Sequence, residues 1–156
     1  MRETLFNWLG GRVSGAQCLD LFAGSGALGL EALSRGAAHV SFVERDQAAA
    51  RELSARLTDW GASGASVEQT DSLQFLRGAP RPFDIVFLDP PFAAGVLERA
   101  AALLGSERWL TAGALIYVEC AAREGLPPLP TSWAIIKAKQ AGEVGYHLLE
   151  RGASAE

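Results

Sequence analysis

The sequence predicts one α/β domain, residues 1–156, built on a doubly wound and mostly parallel sheet of seven strands with helices on both faces. Strand-like apolar runs alternate with helix-like segments along most of the chain, and this alternation favours parallel strands covered by helices. The last two strand-like runs leave no room for a helix between them, so we expect an antiparallel hairpin there. The length of 156 residues suits one domain, and a hydrophobic content of 49 % excludes a disordered chain.

The predicted strands are short apolar runs. We expect them at residues 17–22, 39–43, 65–69, 83–88, 113–119, 132–138 and 144–150. The continuous apolar character of 17–22 and 83–88 is typical of parallel strands that are buried on both faces. We expect the last two strands to be joined by a turn at Ala141-Gly142.

The predicted helices lie before and between these strands and carry recognisable start and stop residues. We expect them at residues 3–9, 27–35, 47–60, 72–77 and 95–104. Asp46 and Asp71 precede two of these helices and can accept hydrogen bonds from the first free backbone N–H groups. Gly10-Gly11 and Gly36 follow two others, where glycine commonly ends a helix.

Acidic residues lie at the ends of the first four predicted strands. They are Asp20, Glu44, Asp71 and Asp89. Because α/β sheets bind ligands beyond the carboxyl ends of their strands, we expect these side chains to share one crevice. Any one of them alone would be interpreted as an ordinary helix N-cap. Four in series beside a glycine-rich turn favour a ligand site.

The glycine-rich turn Gly24–Gly29 has the pattern G-x-G-x-x-G between a strand and a helix, where glycines let the backbone approach a ligand. The pattern alone fits a dinucleotide enzyme or an S-adenosylmethionine (SAM) site, with Glu44 accepting hydrogen bonds from a ribose in both cases. Asp20 favours SAM, because a carboxylate there would repel a pyrophosphate and suits an ammonium and a sulfonium cation. Asp71 can accept a hydrogen bond from an adenine amine, and Ser72 can donate its backbone N–H.

The tetrad Asp89-Pro90-Pro91-Phe92 directly follows an apolar strand beside the same edge. Two prolines fix two φ angles and remove two backbone donors, so that rigid carbonyl acceptors are presented. The acid adds a charged acceptor and the aromatic ring a stacking surface. Together these groups suit a planar amine, with two acceptors for its hydrogens and one plate for its ring.

These motifs carry a resemblance to a known family. The segments Asp20–Gly29 and Asp89–Phe92, with Glu44 and Asp71, resemble the class I SAM-dependent methyltransferases. The opening segment Arg2-Glu-Thr-Leu-Phe-Asn-Trp-Leu9 is similar to that of the RsmD-type 16S rRNA guanine-N(2)-methyltransferases, and the likeness covers nearly the whole chain. The resemblance implies a Rossmann-like class I fold with strand order 3-2-1-4-5-7-6. It also implies SAM as the cofactor, with S-adenosyl-L-homocysteine as its product.

The resemblance also implies a set of site residues. We expect no metal, because neither histidine has a metal-ligand partner nearby in the sequence. The loop from Asp20 to Gly26 would hold the methionine part of SAM, Glu44 the ribose, and Asp71 with Ser72 the adenine. Asp89 and the Pro90 carbonyl would bind the exocyclic amine of a flipped guanine, and Phe92 would stack on its ring. The expected cofactor-binding residues are Asp20, Phe22, Ala23, Gly24, Ser25, Gly26, Glu44, Arg45, Asp71 and Ser72. The expected catalytic residues are Asp89, Pro90, Pro91 and Phe92.

The implied partner is ribosomal RNA or the assembled small ribosomal subunit, and we expect a monomer. Members of this family carry a basic N-terminal hairpin before the R-E-T-L-F segment. Because that segment starts at residue 2 here, we expect either that this chain is shortened at its start or that the protein lacks this RNA-contacting element. The net charge of −4 argues against a nucleic-acid partner on its own. Four of the acids, however, are assigned to a cationic cofactor and an amine.

The cysteine count and the length of the apolar runs indicate where in the cell the protein works. Two cysteines are too few for a disulfide framework, and no apolar run reaches the length of a membrane span. We therefore expect a cytoplasmic protein without membrane contact.

Three other functions remain open from the sequence. One is methylation of another planar amine, adenine or a protein glutamine, although such relatives usually have Asn where this chain has Asp89. The second is a dinucleotide-dependent oxidoreductase, against which Asp20 and the tetrad argue. The third is a SAM-binding module that is inactive alone.

Overall fold

The computed structural model describes residues 2–90, 95–106 and 108–152. Within these residues the chain forms seven strands and five α-helices. The strands are β1 (Gln17–Asp20), β2 (His39–Val43), β3 (Ala65–Glu68), β4 (Phe83–Leu88), β5 (Leu110–Ala121), β6 (Trp133–Ala141) and β7 (Val144–Arg151). The helices are α1 (Arg2–Leu9), α2 (Ala27–Ser34), α3 (Gln47–Asp59), α4 (Ser72–Leu76) and α5 (Val96–Ser106).

The seven strands form one sheet in the order β3-β2-β1-β4-β5-β7-β6, which confirms the predicted order. The five strands from β3 to β5 are parallel, and β7 pairs antiparallel with both β5 and β6. The carboxyl ends of the parallel strands therefore meet at one edge. The order reverses direction at β1, since β2 and β4 lie on its two sides, and this is the switch point where α/β sheets bind ligands.

Each helix covers one face of the sheet with its apolar side. The α1, α2 and α3 side chains form one core with alternate strand residues such as Phe87 and Tyr117. The α4 and α5 side chains form the other core, with the intervening residues such as Leu88 and Val118. This alternation follows from the two-residue period of a strand, and it divides β4 and β5 between two buried faces. No helix among the described residues is both long enough and apolar enough to cross a membrane.

The expected boundary of the first strand is wrong by two residues. The apolar run predicts a strand through Phe22, but the strand ends at Asp20. The Leu21 N–H still donates to the Phe87 carbonyl at 3.3 Å, while the Ala23 N–H donates to the Val43 carbonyl at 2.9 Å. The backbone thus crosses from the β4 side to the β2 side between Leu21 and Ala23, directly before the glycine-rich turn that starts at Gly24.

The expected fifth strand is too short at both ends. The sequence predicts its start at Gly113, but this glycine has a φ of +78° and lies inside β5, where the pairing with β4 is irregular. Antiparallel pairing with β7 extends the other end to Ala121, which lies opposite Val144. The turn that follows β6 is also displaced by one residue. It is Gly142-Glu143 rather than Ala141-Gly142, because Ala141 still pairs with Val144.

Candidate functional site

A cavity of about 590 Å³ lies at the carboxyl ends of β1, β2 and β4, next to the switch point of the sheet. Its volume is typical of a small-molecule site. Nine of the ten expected cofactor-binding residues line it, and so do Asp89 and Pro90. Pro91 and Phe92, the other two expected catalytic residues, lie outside the described residues. The cavity is lined by Asp20, Leu21, Phe22, Ala23, Gly24, Ser25, Ala27, Leu28, Val43, Glu44, Arg45, Thr70, Asp71, Ser72, Leu73, Asp89, Pro90 and Val96.

Gly26 is the expected residue that does not line the cavity. It precedes α2 with a φ of +82°, a left-handed conformation that glycine adopts without strain. A Cβ atom at this position would lie 2.6 Å from Cδ1 of Leu53 on α3. Gly26 therefore shapes the turn and lets it pack against α3, while Gly24 faces the cavity.

Asp20 is the most buried carboxylate of the cavity, with 3 % of its surface exposed. One of its oxygens, Oδ2, accepts a hydrogen bond from the Gly29 N–H at 3.0 Å. Burial raises the pKa of Asp20 to about 7; the Gly29 hydrogen bond opposes this rise, and the negative charges of Asp89 and Glu44 add to it. No cation forms an ion pair with Asp20 among the described residues. A ligand cation beside it would supply the missing countercharge.

Gly29 holds this arrangement in place from inside α2. A methyl group at Gly29 would overlap the ring of Phe42 and would lie 2.9 Å from Cγ1 of Val40. The absence of a side chain lets α2 approach β2 closely, and this approach places the Gly29 N–H against Asp20.

Glu44 follows the last residue of β2 and is half-buried at the cavity wall. Its Oε1 accepts from the Gly24 N–H at 2.7 Å, and its Oε2 accepts from the Asp46 N–H at 2.8 Å. Each oxygen retains a second lone pair. The carboxylate is thus held by two backbone groups and can accept two further hydrogen bonds from adjacent hydroxyls.

Asp71 is both an N-cap and a cavity residue. Its Oδ2 accepts from the Leu73 N–H at 3.0 Å and the Gln74 N–H at 3.3 Å, which confirms the expected N-cap of α4. Its Oδ1 lies 4.0 Å from a guanidinium nitrogen of Arg45, whose side chain is largely exposed. The outer oxygen therefore remains accessible from the cavity. Asp46 is an N-cap too, accepting from the Ala49 N–H at 2.8 Å.

Asp89 follows β4 on the other side of the cavity and is exposed at its mouth. Displacement of water by neighbouring protein atoms raises the pKa of Asp89 to about 6, with the charge of Glu119 and a hydrogen bond between the two carboxyl groups as further causes. Glu119 lies on β5 and accepts a hydrogen bond from the Tyr117 hydroxyl at 2.8 Å.

Glu119 is absent from the set of expected site residues, although a signal for it is present in the sequence. The expected fifth strand ends at Glu119, so it too is an acid at the carboxyl end of a strand. The rule applied to the first four strands selects it when it is extended to the fifth.

The two histidines lie away from the cavity and have neighbours of their own. His39 Nε2 lies 3.2 Å from the Ser66 hydroxyl, and His147 Nδ1 lies 3.4 Å from the Val118 carbonyl oxygen. Across the described ranges, no three His, Cys, Asp or Glu side chains are grouped so that they could hold a metal ion.

Comparison with known proteins connects this geometry to a family. Residues 1–150 match the family described as "Conserved hypothetical protein 95". The chain is 47 % identical over 156 residues to ribosomal RNA small subunit methyltransferase D of Escherichia coli K12, covering all of this chain and 79 % of that protein. The protein of the same name from Haemophilus influenzae is 44 % identical over 156 residues, covering 96 % of this chain and 79 % of that protein.

Solved structures agree with these relatives. A structure from Escherichia coli superposes with a TM-score of 0.96 at 48 % identity, covering 98 % of this chain and 86 % of that one. A structure from Haemophilus influenzae has a TM-score of 0.89 at 44 % identity, covering 97 % of this chain and 96 % of that one.

Proposed function

We propose that this chain, which belongs to the Conserved hypothetical protein 95 family together with the small-subunit ribosomal RNA methyltransferases D, methylates the exocyclic amine of a guanine in small-subunit (16S) ribosomal RNA. SAM is the proposed methyl donor, and S-adenosyl-L-homocysteine is the product. Unmodified RNA or the assembled small subunit is the proposed partner of a monomeric enzyme. Such a substrate places the reaction in the cytoplasm.

The observation that carries this proposal is the buried Asp20 carboxylate, which faces a cavity and has no cation beside it among the described residues. A buried carboxylate without a countercharge is costly, so the cavity favours a cationic ligand. The pyrophosphate of a dinucleotide would bring negative charge to the same place. The residues therefore fit SAM better than a nicotinamide cofactor.

The remaining carboxylates of the cavity fit the neutral parts of the same ligand. Glu44 offers two oxygens that are already fixed by backbone N–H groups, and such a carboxylate suits the two adjacent hydroxyls of a ribose. Asp71 presents Oδ1 beyond its N-cap interaction, where an adenine amine can donate to it. The three acids thus bind three different chemical groups along one wall.

The target amine belongs on the opposite wall, at Asp89 and Pro90. When bound, SAM supplies a methyl group that its sulfonium has already activated for transfer. The Asp89 carboxylate and the Pro90 carbonyl would accept the two hydrogens of the guanine amine and so turn its lone pair toward the cofactor. The same acceptors stabilise the positive charge that develops on nitrogen.

A guanine must leave its stack to reach this position, at a cost of a few kcal/mol. We propose that Phe92 stacks on its ring, as the tetrad suggests. The sequence around Asp89 thus supplies acceptors and an aromatic plate within four residues.

An assay on unmodified small ribosomal subunits tests the proposal. The protein is incubated with SAM labelled in the methyl group, and the labelled nucleoside is identified by mass spectrometry. We expect N2-methylguanosine, and no label when the catalytic variant Asp89→Ala replaces the wild type. A labelled adenosine, or label on ribosomal protein, would replace the proposed target by another planar amine.

A further inference from the structure

Asp89 does not act alone at the amine wall, because the register of the sheet places Glu119 beside it. Leu88 of β4 lies opposite Val118 of β5, and Asp89 and Glu119 are the next residues of their strands. Residues with equal offsets in parallel strands point to the same face. Burial is the first cause of the raised pKa of Asp89, and the charge of Glu119 and a side-chain hydrogen bond with it are the next.

Glu119 is itself held in one orientation. Its Oε2 accepts a hydrogen bond from the hydroxyl of Tyr117, which is 1 % exposed. The ring of Tyr117 is stacked with that of Tyr146, with 6.5 Å between the ring centroids and 21° between their planes. A buried, stacked tyrosine gives its hydroxyl little freedom. One oxygen of Glu119 is thus held by the Tyr117 hydroxyl, and the other takes no part in that hydrogen bond.

The titratable groups around this pair lie on three strands, β1, β5 and β7, and they are negative or neutral. Asp20 on β1 and Glu119 on β5 both interact unfavourably with a second negative charge at Asp89. Tyr117 on β5 and Tyr146 on β7 are neutral, since their pKa values are raised above the ordinary value of 10 by burial and by Glu119 and Asp89. Beyond them, Lys139 of β6 lies opposite Tyr146 in the register of the sheet and is a basic residue on this face.

We infer that Glu119 is a positioning residue of the methyl-transfer reaction, which orients the Asp89 carboxylate toward the target amine and helps it to receive the proton of that amine. The inference rests on the proposed function, in which Asp89 binds the amine. In this step the amine nitrogen forms a bond to the methyl carbon, and the sulfur–methyl bond breaks with its electron pair returning to sulfur. One N–H proton passes to Asp89, and Glu119 accepts a hydrogen bond from the carboxyl group so formed.

The position of Asp89 beside Glu119 explains how an aspartate can remove this proton. An ordinary aspartate, with a pKa of 3.8, is a weak base, whereas Asp89 titrates at about 6. At pH 7 to 8 it is still mostly ionised, and it binds a proton more strongly than an isolated aspartate does. The Tyr117 hydroxyl donates to Glu119 rather than to Asp89, so that Asp89 keeps its lone pairs for the substrate.

Three variants separate this role from a purely structural one. Glu119→Gln keeps the size of the side chain and removes its charge, and Tyr117→Phe removes only the hydroxyl that fixes Glu119. Glu119→Asp retains the charge and tests whether a carboxylate at this position is enough to keep the pH profile of the wild type. Glu124→Gln makes the same charge change on an exposed residue of the loop after β5, so it serves as the matched control.

The measurements are single-turnover methyl transfer between pH 5 and 9, SAM affinity by calorimetry, and titration of the Asp89 carboxyl carbon by NMR. We expect Glu119→Gln to slow methyl transfer about 10- to 100-fold at pH 7.5 and to move the acid limb of the pH profile down by about one pH unit. Tyr117→Phe should show a smaller effect in the same direction. SAM affinity should stay within about threefold in all variants, and Glu124→Gln should match the wild type. Glu119→Asp should retain the acid limb of the wild type.

The NMR titration distinguishes failure of this inference from failure of the proposed function, because it needs no RNA. If Asp89 titrates at the same pH in wild type and Glu119→Gln, the inference is overturned even when guanine is methylated. If Asp89 titrates lower in the variant but the wild type methylates a different amine, the pairing stands and the proposed target is wrong. A Glu119→Gln protein with an unchanged rate and pH profile would also overturn the positioning role.

Discussion

The two walls of the cavity hold their carboxylates by different means. On the cofactor wall, Asp20, Glu44 and Asp71 each accept hydrogen bonds from backbone N–H groups of nearby turns and helices. On the amine wall, Asp89 interacts with Glu119 of the neighbouring strand β5, and Glu119 in turn accepts a hydrogen bond from the Tyr117 hydroxyl. Backbone donors fix a carboxylate as an acceptor with a permanent shape, whereas a pair of carboxyl groups can also take up and release a proton.

The difference matches the two tasks proposed for the site. A cofactor has to be bound in one orientation, for which rigid acceptors are suitable. The target amine has to lose a proton during the reaction, for which a carboxylate with a raised pKa is suitable. Substitutions on the two walls should therefore have separable effects on binding and on chemistry.

The largest expected effect is on the amine wall. Asp89→Ala should reduce the rate of methyl transfer by at least about 100-fold, because it removes the charged acceptor for the amine. SAM affinity should change by less than about tenfold, since the proposed role of Asp89 is to bind the amine and not the cofactor. Single-turnover kinetics and calorimetry on the same preparation measure both. Asp59→Ala, at the exposed end of α3, is the control, and normal turnover in Asp89→Ala would contradict the assigned role.

For Asp20→Asn on the cofactor wall, we expect the main loss in SAM affinity. The amide can still accept from the Gly29 N–H but lacks the charge for a ligand cation, so SAM affinity should fall about 30- to 100-fold. Stability should change in the opposite direction. The folded-state pKa of about 7 lies above the ordinary 3.8, so the folded protein binds the proton more tightly and loses stability as the pH rises from about 4 to 7.

At pH 8 the Asn variant avoids that loss and should have a larger free energy of unfolding, by on the order of 1–3 kcal/mol. Urea denaturation at pH 8 and pH 5 measures the difference, which should shrink at pH 5. Asp59→Asn is the control. A variant that is less stable than the wild type at pH 8 would show that backbone dipoles around Asp20 already compensate its buried charge.

Gly29→Ala tests whether the backbone of α2 sets the position of Asp20. The added methyl group would overlap Phe42, so we expect a loss of about 1–3 kcal/mol in the free energy of unfolding and weaker SAM binding. Gly11→Ala is the matched control, because a Cβ atom at Gly11 meets nothing within 4 Å. Chemical denaturation measures the free energy of unfolding of the two variants. Equal values would mean that α2 can move away from β2 without cost.

A change of pH alone should have a smaller effect on SAM affinity. A ligand cation lowers the pKa of Asp20 from about 7, so binding releases a proton below that pH. SAM affinity should rise about tenfold between pH 6 and 8 and then level off. Calorimetry in buffers of different ionisation enthalpy counts the released protons. The pH dependence should disappear in Asp20→Asn, and an affinity that falls with rising pH would contradict the ionised state proposed for Asp20.

Local sequence patterns indicate the acids proposed for the cofactor wall, but they do not indicate the pairing of acids at the proposed amine wall. Asp20 and Asp71 are held by backbone N–H groups a few residues further along the chain, so a strand end followed by glycines or a helix start indicates them. Glu44 accepts from the nearby Asp46 N–H and also from the Gly24 N–H twenty residues away, and its place at the end of a strand indicates it. The alternation of strands and helices predicted a mostly parallel sheet, and the family resemblance implied the strand order that the structure confirms.

The pairing of Asp89 with Glu119 depends on the register between β4 and β5, which are separated by a helix and an irregular start of β5. No local pattern fixes that register. Local sequence patterns also do not show why Gly26 lies outside the cavity lining. It belongs to the expected motif but packs against Leu53 of α3, and that contact is set by tertiary packing.

A crystal structure of the protein with S-adenosyl-L-homocysteine tests most directly whether one wall of the cavity binds the cofactor and the other faces the transferred methyl group. It should place the ligand's ammonium within about 3.2 Å of the Asp20 carboxylate, its ribose hydroxyls on Glu44, and its sulfur facing the Asp89 side of the cavity. Those three contacts together would join the cofactor wall to the amine wall at the position of the transferred methyl group. A ligand whose sulfur points away from Asp89, or whose ammonium lies elsewhere than at Asp20, would contradict it.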